Sequence, residues 1–124
     1  MKILLVDDDD ALLSFLAKEL GNRGCDVHQS SSGDETFRGW QRLGPFAFVL
    51  SDFRFIPGTT VKDGVQLLAA IHLINPFQQM AIMTADPKEA REKLPQALQY
   101  VPVLQKPFRI EQLLRLLRQR VLPF

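Results

Sequence analysis

Four short apolar runs in this chain each end in a side chain that phosphoryl chemistry can use. Lys2-Ile3-Leu4-Leu5-Val6 leads to Asp7-Asp8, Phe46 to Ser51 leads to Asp52, Met80-Ala81-Ile82-Met83 leads to Thr84, and Val101 to Gln105 leads to Lys106. If these runs lie side by side in a parallel sheet, their carboxyl ends open on one edge, which is where sheets of this kind bind ligands. Three carboxylates, a hydroxyl and an ammonium then share one pocket. Such a set can hold a hard divalent cation, offer a carboxylate nucleophile and neutralise a transferred phosphoryl group. Crowded carboxylates repel one another, so at least one aspartate is expected to titrate above its ordinary range.

The elements that must position these side chains follow from hydrophobic periodicity. Leu12, Leu13, Leu16 and Leu20 line one face of a helix from Asp10 to Asn22, with Asp9 or Asp10 suited to cap it. A weaker strand, Asp26-Val27-His28-Gln29-Ser30, precedes a helix that opens at Ser32-Gly33-Asp34 and closes near Gly44-Pro45. A helix from Asp63 to Ile74 carries Val65, Leu68, Ile71, Leu73 and Ile74, and Asn75-Pro76 stops it. Pro87 suits the first turn of a polar helix. The last helix, Arg109 to Val121, turns Leu113, Leu114, Leu116 and Leu117 inward. Strands alternating with helices predict a doubly wound α/β fold, a five-stranded parallel sheet of order 2-1-3-4-5 with right-handed crossovers. The first and third strands then flank the switch point, which sets Asp7 and Asp8 across from Asp52.

Composition narrows the functional classes. With 124 residues and 46% hydrophobic content, the chain is expected to form one domain over residues 1–124 with a substantial core. Fifteen basic and fourteen acidic residues give no electrostatic case for nucleic acid or for an anionic membrane. No apolar stretch approaches the roughly 20 residues of a membrane span, and a cytoplasmic location is the expectation. The single cysteine, Cys25, reads as a small core residue. His28 and His72 lack a metal-binding spacing and read as surface or helix-packing residues.

Ile3-Leu4-Leu5-Val6-Asp7-Asp8-Asp9, Val49-Leu50-Ser51-Asp52, Met83-Thr84-Ala85 and Lys106-Pro107-Phe108 resemble, in the right order and over essentially the whole chain, the landmarks of response-regulator receiver domains of the chemotaxis-regulator type. The resemblance implies a (βα)5 flavodoxin-like fold and a phosphoacceptor that takes its phosphoryl group onto Asp52 from a histidine kinase or phosphotransfer protein. It implies Mg²⁺ as the cofactor, bound by Asp7, Asp8, Asp52 and the backbone carbonyl of Arg54. Thr84 and Lys106 would contact the phosphoryl oxygens, with Lys106 serving charge neutralisation more than folding, and a cis bond to Pro107. The product signals through a downstream effector protein or domain, with a phosphorylation-linked dimer as one form that signalling can take. Such a domain catalyses only its own phosphorylation and dephosphorylation.

Two features depart from the family pattern. The connection from Asp52 to Asp63-Gly64 is several residues longer than usual, and Val103 stands where receivers commonly carry a switch aromatic. The loop from Phe53 to Asp63 is therefore expected to take over the switching role. Arg54 and Asp86 are expected to pair across the pocket mouth. Two other readings fit parts of the pattern: a small phosphohydrolase of the haloacid-dehalogenase type, with Asp7 and Asp9 as nucleophile and acid, and a receiver-like module that only binds partners.

Overall fold

The computed structural model describes residues 1–55, 60–120 and 123. The elements run β1 (Lys2–Val6), α1 (Asp10–Gly21), β2 (Asp26–Ser30), α2 (Gly33–Leu43), β3 (Phe48–Asp52), α3 (Gly64–Ile74), β4 (Met80–Thr84), α4 (Pro87–Lys93), β5 (Val103–Gln105) and α5 (Ile110–Arg118), with a single 3₁₀ turn at Gln96–Leu98. All neighbouring strands pair in parallel, in the order β2-β1-β3-β4-β5. This is the doubly wound sheet that the alternation of strands and helices predicts.

Alternation along the strands divides the core into two layers. Leu4, Val6, Val49, Met80 and Ile82 face one side, where they pack with Trp40, Leu67, Leu68, Ile71, Ala90 and Leu94 from α2, α3 and α4. Ile3, Leu5, Phe48, Leu50, Ala81 and Met83 face the other, against Leu13, Leu16, Leu20, Leu113 and Leu117 from α1 and α5. A strand buried on both faces has no polar face to show, which is why these runs read as continuous apolar stretches.

Local chemistry sets the element ends. The Asp9 carboxylate caps α1 by accepting from Leu12 N at 3.1 Å, Asp63 caps α3 through Gln66 N at 2.8 Å, and Asp86 caps α4 through Glu89 N at 3.0 Å. The β5 strand begins at Val103 instead of Val101 because Val101 N is spent on Leu98 O and Pro102 has no N–H. The β3 strand begins at Phe48 instead of Phe46, whose carbonyl accepts from the Gln78 side chain at 2.9 Å. Leu73 and Ile74 do not join the core; α3 buries Leu67, Leu68 and Ile71, Leu73 two positions past Ile71 falls on the opposite face, and Ile74, the last helical residue, lines a surface hollow beside Trp40 and Gln78. Leu114 and Leu116 are only partly buried, and the last helix ends at Arg118, where Gln119 turns extended, short of the expected Val121, which itself lies outside the described residues.

The connection after β3 is anchored on both sides of residues 56–59, which lie outside the described set. Phe53, Phe55 and Val61 are all buried. The Asp34 carboxylate accepts from Thr60 N at 3.1 Å and Val61 N at 2.8 Å, tying the returning chain to the first turn of α2. The returning backbone passes so close that only glycine fits at two places: a Cβ on Gly33 would stand 2.0 Å from the Val61 carbonyl oxygen, and one on Gly64 would stand 2.2 Å from that of Asp52. Within the loop expected to switch, Phe53, Phe55 and Val61 therefore belong to the core while Arg54, Thr60 and Lys62 are exposed, and residues 56–59 lie outside the described residues.

Candidate functional site

The carboxyl ends of β1, β3, β4 and β5 bring together the four predicted strand-end groups. Asp7 sits at the end of β1, completely buried. Its Oδ1 accepts from Asp9 N at 3.0 Å and its Oδ2 from Lys106 Nζ at 2.7 Å. Lys106 Nζ also stands 3.2 Å from Asp52 Oδ1, so a single ammonium bridges β1 and β3. The lysine is aimed there by its backbone, which donates from N to Thr84 O at 2.8 Å, and it is followed by a cis bond to Pro107 as the resemblance implies. A second cis bond, Gly44-Pro45, carried no sequence signal that set it apart. Thr84 is buried, its Oγ1 accepting from Asp86 N at 3.1 Å.

Three carboxylates fit the chemistry of a hard cation. One oxygen each from Asp7, Asp8 and Asp52 lies within 4.8 Å of the others. Adjacent ligands of an octahedral Mg²⁺ stand about 3.0 Å apart and opposite ones about 4.2 Å, so these oxygens would draw together to share such an ion. Asp8 is exposed and Asp52 half-buried, which leaves open sides for the water that Mg²⁺ retains. Backbone carbonyls are ligands of the same hard class, and Arg54 lies in the wall of this cavity.

The expected electrostatic strain falls on Asp52. Burial, and then the negative charge of Asp7, push its carboxyl up from 3.8 to about 6, against the pull of Lys106. Burial alone would weaken the Lys106 ammonium, but its hydrogen bond to Asp7 and the charges of Asp52 and Asp7 outweigh that and raise its pKa. The nucleophile candidate is thus a carboxylate whose ionisation is favoured by added positive charge.

Above Asp52 a cavity of about 500 Å³ opens, lined by Asp8, Asp52, Phe53, Arg54, Thr84, Glu89 and Lys106 among others. The Arg54 guanidinium lies 5.1 Å from the Phe53 ring centroid and pairs with Glu89 on α4. The expected partner, Asp86, is occupied in capping α4. Its N-cap place puts Glu89 at the third helical position, so the spacing Asp86-Pro87-Lys88-Glu89 was the available signal for which acid reaches outward. Asp34, which fastens the long connection, is a second residue that sequence reasoning did not single out.

A doubly wound sheet with a lysine-bridged acidic pocket at its switch point defines an α/β domain whose polar groups gather where such folds bind ligands. Comparison narrows that class: the family description "Response regulator receiver domain" matches residues 3–118, and the chain belongs to this family. Among solved structures, the signal receiver domain of an HD domain-containing protein from Pseudomonas fluorescens Pf-5 is 26% identical, with a TM-score of 0.80 over 96% of this chain and 92% of that one. A response regulator receiver protein from Sinorhizobium medicae WSM419 is 25% identical, with a TM-score of 0.79 over 97% of this chain and 96% of that one. The Vibrio cholerae chemotaxis protein CheY4 shares the fold at 22% identity, with a TM-score of 0.81 over 96% of this chain and 97% of that one. A search of curated proteins found no match. Among the described residues no helix is long and apolar enough to cross a membrane.

Proposed function

We propose that this receiver domain accepts a phosphoryl group on Asp52 in the presence of Mg²⁺, from a histidine kinase or phosphotransfer protein, and passes the signal to an effector by altered binding. The observation that carries the reading is the Lys106 ammonium at 3.2 Å from Asp52 Oδ1, with the Thr84 hydroxyl on the neighbouring strand and the Asp7 and Asp8 carboxylates at the same strand ends. An Asp52 oxygen attacks phosphorus, the P–N bond to the donor imidazole breaks, and its electron pair stays on the imidazole nitrogen, which takes up a proton. The product is an aspartyl phosphate. Lys106 and the Thr84 hydroxyl serve its oxygens, while Asp7, Asp8, Asp52 and the Arg54 carbonyl are the proposed metal ligands. When bound, Mg²⁺ supplies the remaining positive charge that alignment-driven phosphoryl transfer needs.

The phosphohydrolase reading assigns nucleophilic attack to Asp7. That carboxylate is completely buried and engaged by both Asp9 N and Lys106, whereas Asp52 borders the open cavity. The geometry favours Asp52.

The metal arm is tested by melting temperature. Mg²⁺ at a hundredfold excess over Kd should stabilise the protein by about 2.7 kcal/mol, and Asp8→Ala should remove most of that gain without loss of fold, since Asp8 is exposed. An unchanged melting temperature with Mg²⁺ in the parent protein would remove the main support for the site. Melting is the better readout than Trp40 emission, because Trp40 is bonded to Gln78, which precedes β4 at the far end of the sheet.

The Arg54–Glu89 pair stands over the approach to Asp52 and should slow the entry of hydrolytic water. Arg54→Ala and Glu89→Ala should each raise the dephosphorylation rate by a few fold, and the double variant should add little beyond either. The pair is exposed and contributes at most about 1 kcal/mol to stability, so melting should barely change. Independent, multiplicative effects on the rate would show that the two charges do not act together.

A further inference from the structure

The end of the sheet opposite Asp52 carries a surface that phosphoryl chemistry does not use. There α2 and α3 finish side by side around a hollow of about 520 Å³ lined by Trp40, Gln41, Pro45, Ile74, Asn75 and Gln78. Part of its wall is an already completed polar contact. Buried Gln78 accepts from the Trp40 indole at 2.9 Å and donates to the Phe46 carbonyl at 2.9 Å, so it asks nothing of a ligand. Ile74, in the wall, is 56% exposed, and Leu43 and Leu73, next in the chain to lining residues, are 50 and 86% exposed. Apolar side chains crowded this way at one end of a domain mark a place where another molecule sits.

Charge decides which molecule fits. The chain has no Asp or Glu from Thr36 to Ser51, nor from Gly64 to Ala85, so neither the later turns of α2 nor any part of α3 and the turn after it supplies a carboxylate. Arg38 and Arg42 on α2 are exposed, and among the described residues neither forms an ion pair. The Lys2 ammonium joins them at this end, bonded to the Leu43 carbonyl. Asp26 at the start of β2 is turned to His28, at 3.4 Å. The hollow itself has no charged lining; Arg42 is the chain neighbour of Gln41 in its wall, and Arg38 lies one helical turn before Arg42 on α2.

We propose that this surface docks a segment of a partner protein that presents apolar side chains flanked by carboxylates. A second copy of the chain is the poorer occupant. A two-fold contact sets the same patch against itself, which would oppose Arg38 and Arg42 with their own counterparts and no acid between them. Nucleic acid would meet the arginines but leave the exposed leucines unsatisfied. The inference is independent of the phosphoacceptor reading, because no residue it uses lies at the carboxyl ends of the strands.

Trp40 is the chain's one tryptophan and lines the hollow, so its emission reports occupancy directly. The probe is a designed amphipathic helix of about 16 residues, some four turns, built from leucine, alanine and glutamate, with a twin in which lysine replaces glutamate. The acidic peptide should shift Trp40 emission saturably and bind at least tenfold tighter than its twin, the gap closing as salt is added. Arg38→Glu with Arg42→Glu should reverse that preference, and Ile74→Ser, in the wall of the hollow and 56% exposed, should weaken both peptides. Equal binding of the twins, no saturation by about 1 mM, or indifference to Ile74→Ser would overturn the proposal. So would a concentration-dependent dimer that Ile74→Ser dissociates, or a short DNA duplex that outcompetes the acidic peptide.

Discussion

Asp52→Asn is expected to abolish covalent phosphorylation by acetyl phosphate and Mg²⁺ completely while making the metal-free protein more stable at neutral pH. The first half follows from chemistry, because the amide keeps the shape of the carboxylate but cannot form an acyl phosphate. The second follows from electrostatics. The Asp52 carboxyl is raised from 3.8 to about 6 in the folded state, so its ionised form is disfavoured by folding. A raised pKa leaves stability intact below the unfolded value and lost as pH climbs through the folded value. Between pH 3.8 and about 6 the parent protein should therefore lose stability that Asp52→Asn does not lose. The full shift corresponds to at most about 3 kcal/mol. That value is already net of the attraction to Lys106, and solvent screening at the half-open site reduces the effect, so a gain of about 1 to 2 kcal/mol at pH 7, several degrees in melting temperature, is expected. Phosphorylation of the parent protein at low Mg²⁺ should fall as pH drops below about 6, where Asp52 takes up a proton. Higher Mg²⁺ should push that inflection to lower pH, since the cation favours the carboxylate. Phosphoryl label retained in Asp52→Asn, mapping to Asp7 or Asp9, would instead assign the chemistry to a different carboxylate.

The reactive groups were legible in the sequence because each is the residue that ends a short, continuous apolar strand, and parallel pairing leaves such ends little freedom. β1 and β2 have the bounds their residues suggest, and Asp9 caps α1 as its type and place imply. What the pattern hid depends on distant partners. Nothing local says that Asp34 will hold Val61 N across 27 positions, or that Phe53 and Phe55, in a segment that reads as loop, will be buried. Arg54 chose Glu89 over Asp86 because the helix cap claims Asp86 first, a competition between a backbone N–H and a guanidinium that a simple count of residues after Thr84 overlooks. In α3, an apolar run long enough to cover both faces of a helix concealed that Leu73 and Ile74 point away from the core. The same run left an apolar surface where a polar one would be ordinary. Val103 is partly buried against the α2–α4 layer, with no aromatic ring at that position to move. If α4 reports phosphorylation, it does so through the contacts it makes, Asp86 N on Thr84 Oγ1 and Glu89 on Arg54.

Lys106→Ala should damage folding as well as phosphorylation, and this is where the structure adds most to the sequence. The phosphoryl-ligand role proposed for Lys106 leaves its shortest contact unexplained, which is to Asp7, whose side chain is only 1% exposed. Removing the ammonium leaves Asp7 with a single backbone donor, Asp9 N, and a second carboxylate nearby at Asp52. An ion buried and stripped of its counter-charge typically costs about 3 to 5 kcal/mol; the partly open site and residual hydrogen bond place the expected loss near 3 kcal/mol in metal-free buffer at pH 7. Three signatures separate this from a simple packing defect. Acidification should restore part of the lost stability, because protonation removes a buried negative charge that has lost its partner. Mg²⁺ should restore part of it at neutral pH, since a cation on the carboxylates replaces the missing positive charge. Asp7→Asn should also be far less harmful in the Lys106→Ala background than in the parent, giving a coupling energy of about 1 to 3 kcal/mol in the double-variant cycle. A Lys106→Ala protein that melts within about 0.5 kcal/mol of the parent would show that water, not the lysine, satisfies Asp7. A large loss indifferent to pH, Mg²⁺ and Asp7→Asn would assign Lys106 a packing role through its methylene stem instead.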